Sequence, residues 1–263
     1  MTIAVFGATG MVGGRVVIEA RTRGHRVLAL SRKPASDTRG AAPADPGVTP
    51  LAVDVTDATA VHRTLAAAAG RRSPVGADVS TDGAVSREAA PSADSLTVGP
   101  ARSGGRAGAL DAVVLAVRRY PADRAFLVDA TRTVLDVAAR LGARVLVVGG
   151  AGALRSPGDP ELPVAENPAY VPAEHRAVAA AGIAQLDACR VHLEADWVYL
   201  SPPALLAPGT RTARYRRGTD TLLTGADGRS YASAEDLAAA VLDELEPPGP
   251  ERHFTIAERP DNA

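Results

Sequence analysis

Residues 2–13 read Thr-Ile-Ala-Val-Phe-Gly-Ala-Thr-Gly-Met-Val-Gly. The first five are an apolar run of strand length, and the glycines at 7, 10 and 13 follow at once. A helical pattern then runs to about Arg23, with Val12, Val16, Val17 and Ala20 on one face and Gly24 as its stop. In a strand–turn–helix of this kind each glycine has its own task. Gly7 permits the tight turn, Gly10 lets backbone approach a pyrophosphate, and Gly13 lets the helix pack close to the sheet. The free N–H groups opening the helix then face the phosphates. A glycine triplet alone is a weak signal, but after a first strand and before a first helix it predicts dinucleotide binding.

Working outward, strand-like runs recur at Arg26–Leu30, Thr49–Val53, Ala112–Val117, Arg144–Val148 and Trp197–Leu200, with helix-compatible stretches at Asp57–Ala69, Ala122–Leu141 and Ala173–Cys189. Apolar strands alternating with helices predict an α/β fold, a doubly wound (Rossmann) parallel sheet covered on both faces. The whole chain, 1–263, reads as one NAD(P)-binding domain with a small C-terminal substrate-side region. Residues 71–108, rich in Gly, Ser, Pro, Ala and Asp, break the rhythm and are expected to be a flexible insertion. Leu154–Pro172 carries Pro157, Pro160, Pro163, Pro168 and Pro172, which predicts a loop over some surface. Beyond Ser201, short strands are expected at Arg211–Tyr215 and Thr221–Thr224, then a helix capped by Ser233 with Glu235 and Asp236 in its first turn.

Composition narrows the function. Lys+Arg 29 against Asp+Glu 30 leaves a net charge of -1, which offers no electrostatic reason to hold nucleic acid or anionic lipid. Cys189 is the only cysteine, so no disulfide framework and no CxxC metal site is expected. Neither a spanning apolar run nor a signal-peptide layout is visible, and a cytoplasmic location without membrane contact is the expectation. All but one of the 29 basic residues are arginine, the exception being Lys33. Arginine stays protonated at any working pH, so a lysine-dependent mechanism would have to use Lys33.

The end of the second strand bears on the choice of dinucleotide. An NAD site places Asp or Glu there for the ribose hydroxyls. This chain reads Ser31-Arg32-Lys33, with no acid until Asp37. These side chains can donate to a 2′-phosphate that a carboxylate would repel, so NADP (NADPH) is expected. Asp54-Val55 stands where an adenine-contacting pair belongs, although an Asp preceding the next helix start accounts for Asp54 nearly as well.

The opening IAVFGATGMVG, with DWVYLSPPALLAPGTRTARYR and SAEDLAAAVLDEL further on, resembles the atypical short-chain dehydrogenase/reductases. Within them the chain is similar to the NADH-flavin reductase branch, which is biliverdin reductase B-like, over nearly its whole length except 71–108. The resemblance implies that Gly7, Thr9, Gly10, Met11 and Val12 bind pyrophosphate, and Ser31 with Arg32 the 2′-phosphate. It implies further that Asp54 and Val55 contact adenine, Ala116 and Val117 the ribose, and Gly149 with Gly150 the nicotinamide side. Ser201, Pro202 and Pro203 would close the pocket above the nicotinamide.

Departures from the wider pattern matter as much. The usual short-chain enzyme carries Tyr-x-x-x-Lys, but Tyr170 is followed four positions on by Glu174, and no hydroxyl follows Gly149-Gly150 until Ser156. A tyrosine without a nearby cation is a poor acid at neutral pH. Alcohol–ketone chemistry and sugar epimerisation are therefore disfavoured, whereas hydride transfer to a flavin needs no such group. Ala204 stands where the branch has a histidine after its double proline. Of the five histidines, His25 and His253 are expected at the surface, and His62 and His192 on helices without ligand partners. His175 is the candidate proton donor. The expectation is an NADPH-dependent reductase of a flavin or similar small molecule, with no metal and an open oligomeric state. A non-catalytic NADP-binding sensor is the alternative, and a nucleotide-sugar epimerase or dehydratase a weaker one.

Overall fold

The computed structural model describes residues 1–33, 45–69 and 110–259; the expected insertion at 71–108 lies outside the described residues. Strand β1 (Thr2–Phe6), buried at every position, leads through Gly7 into α1 (Met11–Thr22). Gly24, at φ 82°, makes the left-handed turn back into β2 (Arg26–Ser31). β3 (Val48–Ala52), α2 (Ala58–Ala69) and β4 (Ala112–Leu115) follow. Helix α3 (Arg124–Leu141) is capped by Asp123, whose carboxylate accepts from Phe126 N–H, and closed by Gly142 at φ 67°. Then come β5 (Arg144–Val148), the short strands β6 (Arg155–Ser156) and β7 (Asp159–Pro163), and α4 (Arg176–Arg190). After β8 (Trp197–Ser201) the chain forms β9 (Leu205–Ala207), β10 (Tyr215–Gly218), β11 (Tyr231–Ser233), α5 (Ala234–Leu245) and β12 (His253–Glu258).

The central sheet has the order β10-β12-β8-β5-β4-β1-β2-β3. Every neighbouring pair is parallel except β10–β12. Successive side chains of a strand point to opposite faces, and β1 divides accordingly. Ala4 and Phe6 join Leu65, Val134, Leu186 and Tyr199 on the face covered by α2, α3 and α4. Ile3 and Val5 join Val16, Ala20, Leu237 and Val241 on the face covered by α1 and α5. Each large aliphatic buried this way contributes about 1.5–3 kcal/mol. The expected α/β doubly wound Rossmann-type sheet is what forms.

Corrections fall after residue 150. β12 enters the central sheet between β8 and β10, although its sequence carries no strand expectation. No regular strand forms at Arg211–Ala213. Asp236 accepts from Thr212 N–H and Ala213 N–H, both at 2.7 Å, and from Thr212 Oγ1 at 2.6 Å, while Ala213 sits at φ 53°. The strand begins only at Tyr215. At Thr221–Thr224 only a single bridge forms, between Thr221 and Arg155. The proline-rich stretch is an ordered β6–β7 hairpin outside the central sheet, where Pro160 and Pro163 interrupt no central ladder. It is stitched to the later segment by Arg155 N–H to Asp220 O (2.8 Å) and Leu222 N–H to Arg155 O (3.0 Å). Residues 151–175 thus pack with segments that follow β8.

Candidate cofactor and active site

The chain runs β1 to β3 towards one edge and β4, β5, β8 towards the other, so the order reverses between β1 and β4. A crevice outside the carboxyl ends of the strands is expected at such a switch point. The glycine loop lies there. Gly7 N–H donates to Leu30 O at 3.0 Å, and Gly7 holds φ 81°. A Cβ on Gly7 would stand 2.2 Å from Ala116 O, and one on Gly13 would stand 2.1 Å from Gly7 O. The protein's own packing therefore requires both glycines. Gly10 differs, because its Cβ would meet only Gly7 O at 3.2 Å, and Gly10 is exposed. It caps α1 without any side-chain hydrogen bond, and the first turn holds no acidic residue. Thr9 and Met11 are exposed beside it, and Val12 is half-buried. The opening turn of α1 thus keeps its donors and its positive dipole end for an anion, which fits a pyrophosphate.

At the end of β2, Ser31 Oγ donates to Lys33 O at 2.5 Å, so its proton is used within the turn. Arg32 and Lys33 are exposed. Asp54, past β3, accepts from Thr56 N–H (3.0 Å) and Thr56 Oγ1 (2.8 Å). These bonds hold its carboxyl below the usual range, with further help from the charges of Arg119 and Arg32. Asp54 thus serves its own turn while remaining exposed, and Val55 is buried in the core. Arg119, from the loop after β4, is a cation near Asp54 that the sequence analysis did not single out. Its guanidinium lies over the Phe126 ring at 4.1 Å and bonds Asp123 Oδ2 at 3.1 Å. Ala116 and Val117, both half-buried, line the loop's contact with Gly7.

Across the sheet, Gly149 N–H donates to Leu200 O (2.9 Å), and a Cβ on Gly149 would fall 1.9 Å from the Tyr199 ring. Gly150 has no such clash. Tyr199 is fully buried, and its hydroxyl donates to Gly182 O at 2.9 Å. Burial pushes its pKa far up, so Tyr199 is no acid catalyst. Ser201, Pro202 and Pro203 are buried at the end of β8, with the Ser201 hydroxyl turned to Gly150 O (3.1 Å) and His253 Nε2 (2.9 Å). Tyr170 is partly buried and packs on a cluster with Val164, Val171 and Leu222. His175 is exposed on the short turn Ala173–His175 that opens α4.

Two histidines expected at the surface are half-buried. His25 closes the α1–β2 turn and its Nε2 lies 2.7 Å from Glu246. His253 becomes part of β12, which no sequence signal announced, and meets the Tyr199 ring edge-on. His62 is exposed on α2, and His192, just beyond α4, bonds Asp136 at 3.1 Å. Among the described residues no cluster of His, Cys, Asp and Glu suits a metal, and no helix is long and apolar enough to cross a membrane.

The sequence profile of the NmrA-like family matches residues 1–79. The chain is 31% identical over 250 residues to YwnB of Bacillus subtilis (strain 168), an uncharacterized protein, covering 94% of this chain and 93% of YwnB. A candidate exported protein from Burkholderia pseudomallei is 30% identical, with a TM-score of 0.71 over 98% of this chain and 99% of that one. A candidate epimerase from Bacteroides thetaiotaomicron is 27% identical, with a TM-score of 0.73 over 100% and 99%. A candidate NADH-flavin reductase from Streptococcus pneumoniae shares the fold at 22% identity and a TM-score of 0.68, over 98% and 100%.

Proposed function

This chain belongs to the NAD(P)-binding, atypical short-chain dehydrogenase/reductase family, and from that premise we propose that it is an NADPH-dependent reductase delivering hydride to a flavin or a similarly flat, conjugated acceptor. The observation that carries the reading is the glycine loop. Gly7 and Gly13 are fixed by packing, while Gly10 and the uncapped start of α1 stay open at the switch point. Gly7, Thr9, Gly10, Met11 and Val12 would hold the pyrophosphate there. Arg32 at the end of β2, in a turn shaped by Ser31, would meet the 2′-phosphate, with Arg119 as a second cation from the facing loop. Asp54 and Val55 would border adenine, Ala116 and Val117 the ribose, and Gly149, Gly150, Ser201, Pro202 and Pro203 the nicotinamide.

When bound, NADPH supplies the hydride. The chain's residues would bind it, orient it and exclude water. A side-chain acid of the tyrosine–lysine kind finds no support. Lys33 lies three strands from β5, roughly 14 Å at about 4.8 Å per strand. Tyr199 is buried and committed to Gly182. An epimerase, as the Bacteroides protein's name suggests for that protein, would need such proton transfer. An acceptor that takes its proton from water would not, although His175, exposed at the start of α4, is the side chain to test as a donor. The same missing acid favours one other reading, an NADP-binding sensor. NADPH oxidation against a panel of flavins, quinones and enones separates the two, because a sensor binds NADPH without consuming it.

A further inference from the structure

Behind the Gly149–Gly150 turn a polar chain runs through Ser201 to His253, a residue with no dinucleotide contact of its own. His253, the first residue of β12, stands in register with Tyr199 of β8, and the two rings meet at 5.4 Å and 83°. Its Nε2 lies 2.9 Å from Ser201 Oγ, and that hydroxyl donates to Gly150 O at 3.1 Å. A serine has one proton to give. With that proton on the glycine carbonyl, the imidazole must be the donor to Ser201, which fixes it as the Nε2–H tautomer. Ser201 is 0% exposed, so the Gly150 carbonyl is turned into the protein. Burial, and then the charge of Arg190, hold the His253 pKa down at about 4, so the ring is neutral at neutral pH. Two adjacent glycines restrain themselves poorly, and a fixed shape there needs a tether from outside. Gly149 has one in Leu200 O and the Tyr199 ring beneath it; the Gly150 amide faces the Tyr199 hydroxyl, and the Gly150 carbonyl accepts from Ser201 Oγ at 3.1 Å and, at a longer 3.4 Å, from Ala153 N–H.

We propose that His253 is a positioning residue, which acts through Ser201 to hold the Gly150 carbonyl inward and so sets the face that the Gly149–Gly150 turn presents to the nicotinamide. The inference rests on the reading that the nicotinamide lies against this turn. Its test compares His253→Ala, Ser201→Ala, the double variant and His253→Gln, whose amide can donate in place of Nε2–H. Two quantities are read: the NADPH dissociation constant, and the backbone amide resonance of Gly150 in the protein without NADPH. Either alanine should move the resonance and weaken NADPH about tenfold, the double variant should lose little more, and glutamine should restore binding to within about threefold. If His253→Ala does not fold, Ser201→Ala, which removes one oxygen, carries the comparison. An unmoved resonance in the alanine variants, or glutamine as impaired as alanine, overturns the proposal. A parent that fails to bind NADPH refutes the dinucleotide reading, and the resonance then still decides whether the tether shapes the turn.

Discussion

Gly7 and Gly10 lie in one loop, yet their substitutions should fail differently. Gly7 sits at φ 81° with Ala116 O where a Cβ would go. Gly7→Ala should therefore cost at least about 1–3 kcal/mol of stability from backbone strain alone, seen as a lower urea midpoint. Gly10, the N-cap of α1, is at ordinary φ, and its Cβ would meet Gly7 O only at 3.2 Å. Gly10→Val should lower the urea midpoint less than Gly7→Ala does, with a modest N-cap cost, while abolishing NADPH binding if the pyrophosphate sits there as proposed. Equal stability losses in the two variants would contradict this division. If Arg32 meets the 2′-phosphate as proposed, Arg32→Glu should weaken NADPH by about 2–3 kcal/mol, because a repelling carboxylate would replace a donating guanidinium. Unchanged affinity by titration would remove Arg32 from the site. The glycine loop was legible in the sequence because its strand–turn–helix context is local; Ser31-Arg32-Lys33 is as local a stretch, but the Ser31 hydroxyl turns to Lys33 O and leaves Arg32 as the donor to test. Arg119 was not singled out because facing Asp54 requires β4 and β3 to end on the same side of the sheet, and His253 was not because Tyr199 and Ser201 come beside it only when β12 pairs with β8.

Helices and buried strands were legible for a similar reason: apolar periodicity and a cap such as Ser233 act within a few residues. β12 was not, because Thr255 and the flanking His253 and Glu258 interrupt its apolar residues Phe254, Ile256 and Ala257, which are buried by pairing with β8 and β10. Neither was the irregular backbone at 211–213, because its cause, Asp236, lies more than twenty residues away. Asp236 is 3% exposed and accepts three bonds from Thr212 and Ala213. Asp236→Ala should cost about 1–3 kcal/mol, because those donors lose their partner, and should raise hydrogen exchange at Thr212 and Ala213. β12 also carries a pH dependence. The His253 pKa falls from 6.5 to about 4 on folding, so between those values the unfolded chain binds a proton that the fold refuses. Its contribution is flat above about pH 6.5, and stability falls as the pH drops from there towards 4. The loss is of order 3 kcal/mol at most, less what partial exposure screens. His253→Gln should flatten that part of an unfolding free energy–pH curve.

For the whole molecule, the described residues alone bring the ends of β1, β2, β4, β5 and β8 to one side of the sheet. Replacing residues 71–108 with a short Gly/Ser linker should accordingly leave NADPH affinity within about tenfold, or about 1.4 kcal/mol; a larger loss would make that segment part of the site. The same topology keeps Lys33 at the far side of β1 from Gly149 and Gly150, and it is why the reaction should proceed without a tyrosine–lysine acid. The most direct measurement is NADPH oxidation coupled to FMN reduction in the absence of oxygen, run on the parent and on Tyr170→Phe. Flavin reduction by the parent, with Tyr170→Phe within a few-fold of it, is the predicted result. NADPH binding without turnover, or a loss of about 100-fold or more in Tyr170→Phe with binding intact, would contradict it.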